Sequence, residues 1–166
     1  MTFWTALVIG LAGLSTLSSA RADDCTLVRA ASLAGISRPY AVTVTMPGGS
    51  GLPVTHIVMT GEKMYMQIRH RWTAKAVTSK DLIDKANKAD LKSQMTCTKS
   101  GDEAVDGQSA TIYAVDTKIS GRVTHSRIWI AKADGLPLKT EIRMQGGDVM
   151  TSVFDYKNVA PPPGVK

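Results

Sequence analysis

Several signatures of catalysis are absent from the sequence. The nucleotide-binding pattern GxGxxG and the P-loop do not occur. The GGSGL stretch around Ser50 lacks the spacing of a nucleophile elbow. The acidic group Asp102, Glu103 and Asp106 lacks the ligand spacing of a calcium loop. We therefore expect a protein that is not an enzyme and that needs no cofactor and no metal.

Long blocks of like charge are also absent. Lys and Arg number 20 against 14 Asp and Glu, which gives a net charge of +6, but the basic residues are scattered along the chain. This scatter argues against nucleic acid as a partner and favours solvated faces. The densest basic group is Arg69, His70 and Arg71, for which a small anion site is the alternative.

The N-terminus contains a segment without charged side chains, from Phe3 to Leu17. Small residues in an A-x-A pattern follow it and end at Ala22, which is typical of a signal peptide. The run is shorter than the roughly 20 apolar residues of a membrane-spanning helix. We expect residues 1–22 to be cleaved on export to the periplasm, which leaves a mature form without a transmembrane segment. Residues 23–160 would form a single domain, followed by a proline-rich tail at 161–166.

Cysteine is scarce, and both copies, Cys25 and Cys97, lie in the expected mature protein. No CxxC spacing and no third metal ligand competes for them. In an oxidising compartment an even number of cysteines favours a disulfide. We predict a Cys25–Cys97 bond with a structural role.

Alternation of apolar and polar side chains dominates the rest of the chain and predicts half-buried strands. Glycine-containing connections such as TGEK, SGR, ADGLP and QGGD separate these segments, as in a meander of antiparallel strands. The predicted strands are YAVTVTM, VTHIVM, KMYMQIRHRW, SATIYAVDT, VTHSRIWIA, LKTEIRM and VMTSVFDYKNV.

Two segments have a helical pattern instead. Asp24 to Ala34 begins with acidic residues and is followed by Gly35 as a stop signal. Thr78 to Leu91 has one narrow apolar stripe, with Thr78 or Ser79 as N-cap and with i,i+4 pairs of Asp81 with Lys85 and Asp84 with Lys88. Such a helix must lie on an apolar surface. We expect an α+β, mostly antiparallel fold, a curved half-open barrel of about seven strands whose concave face is covered by one or two helices.

The C-terminal part resembles a known family. IWIAKADGLPLKTEIRM and the later FDYKNVAPP are similar to the hairpin signature of the exported lipoprotein-carrier superfamily, which includes LolA and LolB. The similarity extends to a branch of exported bacterial proteins with a cysteine before an acidic, glycine-containing turn, here Cys97 to Gly107. The resemblance implies a half-open barrel around a hydrophobic cavity, which characterised members use to carry lipoprotein acyl chains.

On this basis we expect a lipid-like or amphiphilic ligand between the concave sheet and the second helix. Flexible methionines suit such a pocket, although they also fill ordinary cores. The candidate ligand-binding residues are Val44, Met46, Met64, Met66, Ile68, Leu82, Ile83, Trp129, Ile142 and Met144. Trp129 lies on the same strand face as Arg127 and on the opposite face from Ile128 and Ile130. It could therefore pack in the core or contact the ligand.

Two alternatives remain open. The protein could be an interaction module with a filled core that binds an envelope protein. A Cu(I) site is the other alternative, since His56, Met59, Met64, Met66 and His70 surround one predicted hairpin and offer soft ligands.

Overall fold

The computed structural model describes residues 22–46, 54–91, 93–157 and 159–165. The predicted export signal and the loop around Ser50 lie outside these ranges, apart from Ala22 itself. The helices are α1 (Ala22–Ile36) and α2 (Ser79–Asp90). The strands are β1 (Tyr40–Thr45), β2 (Val54–Met59), β3 (Met64–Ile68), β4 (Arg71–Lys75), β5 (Ser93–Val105), β6 (Gln108–Ile119), β7 (Arg122–Ala131), β8 (Pro137–Arg143) and β9 (Val149–Asp155).

All the strands form one antiparallel sheet in the order β4-β3-β2-β1-β9-β8-β7-β6-β5. β4 and β5 form its two edges, so the sheet is not closed. The α2 helix follows β4 and precedes β5, and it therefore connects the two edges. The predicted fold class, a half-open antiparallel barrel with helices, agrees with this arrangement.

The sheet has nine strands rather than about seven. The predicted strand KMYMQIRHRW is a hairpin, because Arg69 and His70 adopt positive φ angles of 48° and 66° and reverse the chain between β3 and β4. Neither residue is a glycine, so the usual turn signal is missing. β5 was not predicted, since an irregularity between Lys99 and Gly101 interrupts its alternation.

We call the sheet face that contacts α1 the inner face. There Cys25, Val28 and Ala31 of α1 pack on buried side chains of β5, β6 and β7. The predicted disulfide is present and joins Cys25 to Cys97, with the two Cα atoms 5.1 Å apart. Asp24 also accepts a hydrogen bond from the backbone N–H of Lys99 at 3.2 Å. The N-terminal half of α1 is therefore fixed to β5 by a covalent and a polar contact.

The C-terminal end of α1 packs tightly on the sheet at Gly35. A Cβ atom at this position would lie 2.8 Å from the Tyr156 hydroxyl and 2.9 Å from Cγ of Pro137. The predicted stop residue is thus needed for close packing, and the helix ends one residue later, at Ile36. The Tyr156 hydroxyl donates to the Pro137 carbonyl at 3.0 Å, and burial raises the pKa of Tyr156 well above its usual value.

Candidate functional site

A cavity of about 310 Å³ lies between the two helices and the inner face of β5 and β6. Its volume is at the lower end of the range for small-molecule pockets. Its apolar lining comes from Val28, Leu33, Ala86, Ala89, Met95 and Ile119. Polar groups of Arg29, Ser32, Asn87, Asp90, Ser93 and Thr117 complete the lining. The cavity can therefore hold an apolar group of modest size beside a few polar ones.

An ion pair joins the two helices at this cavity. Nε of Arg29 on α1 lies 3.0 Å from a carboxylate oxygen of Asp90 on α2, and both side chains are partly exposed. Arg29 and Asp90 neutralise each other, so the cavity has no net charge from its lining. An exposed pair of this kind stabilises the protein only weakly.

The α2 helix is held mainly at its ends. Its N-terminus has a complete capping box, in which Thr78 and Asp81 exchange hydrogen bonds between side chain and backbone. The backbone N–H of Ser79 donates to the carbonyl of Gly61, in the β2–β3 turn, at 2.9 Å. No residue of α2 is fully buried. Among the described residues neither predicted i,i+4 pair is formed: Asp81 accepts hydrogen bonds in the cap, and Asp84 pairs with Lys80 at 2.6 Å.

Half of the predicted ligand-binding residues share the inner face of the sheet. Register places Met64 opposite Met59, Met66 opposite Ile57 and Val44 opposite Ser152, and directly opposed residues lie on the same face. The predicted residues on this face are Val44, Met64, Met66, Ile68 and Ile142, while Met46 follows the end of β1 and Met144 follows the end of β8. Ile68 and Met144 are 39% and 46% exposed, and the others are half-buried.

The cavity itself lies beside a different part of the sheet. None of the predicted residues belongs to its lining, including the half-buried Leu82 and Ile83 of α2. The residues that line it come from α1, from the C-terminal half of α2 and from the β5–β6 pair. The inner-face methionines of β3 therefore flank the helix-covered region rather than forming the cavity.

Trp129 lies on the outer face, away from the other predicted residues. It is only 1% exposed, and its indole N–H donates to Glu103 at 2.8 Å. Lys139 Nζ lies 4.3 Å from the ring centroid, and the Arg127 guanidinium lies 5.2 Å from it. Both cations are attracted to the ring face. These contacts give Trp129 a packing role in a small outer cluster with Ala110, Ala131 and Leu138.

Glu141 connects the two cations of this cluster. Its carboxylate contacts Arg127 at 2.6 Å and Lys139 at 2.8 Å. Desolvation disfavours the ionised carboxylate, but the hydrogen bonds from Lys139 and Arg127 outweigh it and hold the pKa of Glu141 below its usual value. The outer charges near Trp129 are thus already paired.

The residues considered for Cu(I) lie on both faces of the sheet. Met59, Met64 and Met66 share the inner face, whereas His56 is on the outer face and its Nδ1 lies 3.1 Å from the Thr43 hydroxyl. His70 is in the β3–β4 turn. Within the part of the chain that the structure describes, no group of three or more His, Cys, Asp or Glu could hold a metal ion.

The acidic group noted in the sequence has structural partners. Asp102 contacts Lys132 at 3.0 Å, and hydrogen bonds from Lys132 and Thr111 hold the pKa of Asp102 below its usual value. Glu103 accepts the Trp129 hydrogen bond. Asp106 has a positive φ of 48° in the β5–β6 turn.

Neither of the two helices in the described part of the chain has the length and hydrophobicity that a membrane-spanning helix needs.

Comparison with known proteins finds similarity at the level of solved structures. No family model matches the sequence, and no curated protein is significantly similar to it. The structure of MucB aligns with 14% identity and a TM-score of 0.45 over 86% of this chain, which spans 62% of the MucB chain. A LolA superfamily protein from Nitrosomonas europaea aligns with 10% identity and a TM-score of 0.29, over 84% of this chain and 94% of that one.

A DUF1329 family protein from Desulfovibrio piger also aligns, with 10% identity, a TM-score of 0.31 and coverage of 87% of this chain and 94% of that one.

Sequence reasoning overlooked part of the cavity for identifiable reasons. Met95 lies on β5, the strand whose irregular alternation concealed it. Val28 lies in the predicted first helix, and Ala86 and Ala89 lie in the apolar stripe of the second. Both helices were predicted from the sequence, but the sequence does not indicate that they converge on one space.

Proposed function

We propose that this chain is a non-catalytic carrier that binds a hydrophobic or amphiphilic, lipid-like molecule between the inner face of the sheet and α2. The cavity beneath the two helices supports this proposal most directly. Its lining contains several apolar side chains, and its volume falls within the range of small-molecule pockets. A lipid or a lipoprotein acyl chain is the class of ligand that such a lining would accommodate.

The inner face gives further apolar surface beyond the cavity. Val44, Met64, Met66 and Ile142 are half-buried there, so part of each side chain remains accessible. Thioether side chains adapt to different shapes, which suits a ligand with a flexible chain. We include these residues in the proposed site and leave out Trp129, because its ring is enclosed on the outer face.

We further propose that the protein acts in the periplasm after cleavage at Ala22. The Cys25–Cys97 disulfide supports export, since disulfides persist in oxidising compartments. Secretion of the full chain followed by N-terminal sequencing tests this point, and Asp23 is the expected first residue.

A fluorescent fatty-acid titration tests ligand binding. We expect saturable binding by the purified protein, and native mass spectrometry before and after organic extraction should detect a co-purified lipid. The Ala86→Phe variant should weaken binding roughly tenfold. Its phenyl ring would displace about two methylene groups of the bound acyl chain from the cavity, and each displaced methylene loses about 0.8 kcal/mol of binding free energy. Lys85→Phe is the matched control, since Lys85 lies on the same helix outside the cavity lining.

The same titration separates the carrier from an interaction module with a filled core. Such a module would show neither saturable binding nor a co-purified lipid. Equal loss of affinity in the Ala86→Phe and Lys85→Phe variants would also contradict the proposed location of the ligand.

A further inference from the structure

The exposed large apolar side chains gather at one end of the sheet. Register places the ends of β1, β3, β6 and β8 beside the starts of β2, β4, β5, β7 and β9, as in the pairs Ile68–Arg71, Ile119–Arg122 and Arg143–Val149. We call this end the lower rim. Six exposed apolar residues lie there: Val54, Ile68, Leu91, Ile119, Val123 and Met144. Of the large exposed apolar residues in the described ranges, only Leu27 lies elsewhere, on α1.

Isolated exposed apolar residues need no explanation, but this distribution is not scattered. Leu91 is 87% exposed and Val123 is 51% exposed. Leu91 is the C-cap residue of α2, and Val123 is the second residue of β7, next to the β6–β7 turn. Because each residue comes from a different element, no periodic pattern in the sequence brings them together.

The lower rim is also basic. Five exposed cations lie at the strand ends and turns there: Arg69, Arg71, Lys118, Arg122 and Arg143. None of the five has an ion-pair partner among the described residues. The carboxylates at this end are Asp148 in the β8–β9 turn and Asp90, which pairs with Arg29. Asp116 lies a little further from the β6–β7 turn and pairs with His125.

Cations at the opposite end are placed differently. Lys99 and Lys132 both pair with Asp102. Arg38 and Lys157 line a groove together with Asp106, Asp134 and Asp155. Lys63 and Lys75, also at the opposite end, have no ion-pair partner among the described residues, but Glu62 and the three aspartates of the groove lie at that end as well. The lower rim differs from the opposite end in its excess of cations over carboxylates.

We propose that the lower rim docks the protein on the surface of an anionic lipid membrane. Apolar side chains insert shallowly between headgroups, while Lys and Arg pair with the negative lipids. The charge of the rim favours anionic lipid over a neutral surface, and its exposed apolar residues favour a surface with accessible hydrocarbon. Docking would require no transmembrane segment.

The cavity borders the lower rim. Ile119 belongs both to the cavity lining and to the rim, and Asp90 and Ser93 of the lining flank Leu91. A protein docked through the lower rim would therefore place the cavity next to the bilayer. This consequence depends on the proposed carrier function, whereas the docking itself does not.

Vesicle co-sedimentation of the full mature protein, without added lipid cargo, tests the inference. We expect binding to vesicles of phosphatidylglycerol and phosphatidylcholine and weak binding to phosphatidylcholine alone. Binding should fall when salt is raised from about 50 mM to about 500 mM, because counterions screen the rim. The Lys118→Gln/Arg122→Gln pair should weaken binding roughly twentyfold or more, at about fivefold for each cation.

Two matched controls locate the contact. The pair Arg38→Gln/Lys157→Gln removes the same charge at the opposite end and should leave binding almost unchanged. Leu91→Ser with Val123→Ser should reduce binding, whereas Leu27→Ser, at a residue 53% exposed, should not. Circular dichroism and urea unfolding verify that each variant folds.

The inference is wrong if wild-type protein fails to bind anionic vesicles at low salt. It is also wrong if the rim and control variants lose binding equally, since the attraction would then depend on net charge alone. In the first case the rim would have to serve a protein partner. Because no cargo is present, either failure leaves the fatty-acid titration as an independent test of the carrier proposal.

Discussion

Replacing both Cys25 and Cys97 by alanine should lower the free energy of unfolding by about 4 kcal/mol. The bond joins residues separated by 72 positions in the chain, and closing a loop of that length removes about this much chain entropy from the unfolded state. Alanine is preferable to serine, because Cys97 is 1% exposed and a buried hydroxyl would need a partner. The loss of two small side chains from the core adds a further, smaller cost.

Urea unfolding of the oxidised protein, the reduced protein and the double variant measures this effect. With a typical slope of about 1–3 kcal/mol per molar urea, the midpoint should fall by roughly 1.5–4 M. Adding a thiol reductant should shift the wild-type midpoint by a similar amount and should leave that of the double variant unchanged.

The disulfide also has a local role, which fatty-acid binding by the double variant can detect. It fixes α1, whose Val28 and Leu33 line the cavity, to β5. If α1 detaches once the bond is removed, fatty-acid binding should weaken even where the protein remains folded. Equal midpoints for oxidised and reduced wild-type protein would refute the entropy argument and would show that the apolar contacts of α1 alone hold it in place.

Three further predictions concern stability. Gly35→Ala should lower the free energy of unfolding, measured in urea, by about 1–3 kcal/mol, because the new Cβ would clash with the Tyr156 hydroxyl and with Pro137. A variant as stable as the wild type would contradict the close packing at this position. Raising the pH above about 10 should destabilise the wild type more than the Tyr156→Phe variant. Burial raises the pKa of Tyr156, so the stability that its neutral hydroxyl contributes is complete below the pKa of the unfolded state and is lost as the pH rises toward the pKa of the folded state. Parallel pH profiles of unfolding free energy for the two proteins would refute this. Thr78→Ala should cost about 1 kcal/mol by removing the cap of α2, and Thr78→Ser should largely restore it in thermal unfolding.

Local signals in the sequence anticipated much of the secondary structure. The acidic start of α1, the Thr78 cap of α2 and the glycine-containing turns depend on neighbouring residues. The structure places both helices within two residues of the predicted bounds. Alternation also indicated that Met64 and Met66 share one face of their strand, and the strand register places Val44 of β1 on that same face. The β3–β4 turn was missed because Arg69 and His70 adopt backbone conformations that glycine usually supplies.

The pairing of the cysteines could be predicted because the sequence contains only two of them. The half-open sheet followed from the number of alternating segments and from a helix with a single apolar stripe between them. These features depend on residue counts and local periodicity, which any reader of the sequence can evaluate.

Only the tertiary structure decided where α1 and the apolar stripe of α2 meet, and therefore where the cavity lies. It also enclosed Trp129 between Lys139 and Arg127 on the outer face and brought Leu91, Ile119 and Val123 to one rim beside unpaired cations. These arrangements depend on strand order and register between distant segments. A sequence determines which face of its own strand a side chain occupies, but its neighbours on other strands are fixed only when the whole sheet has formed.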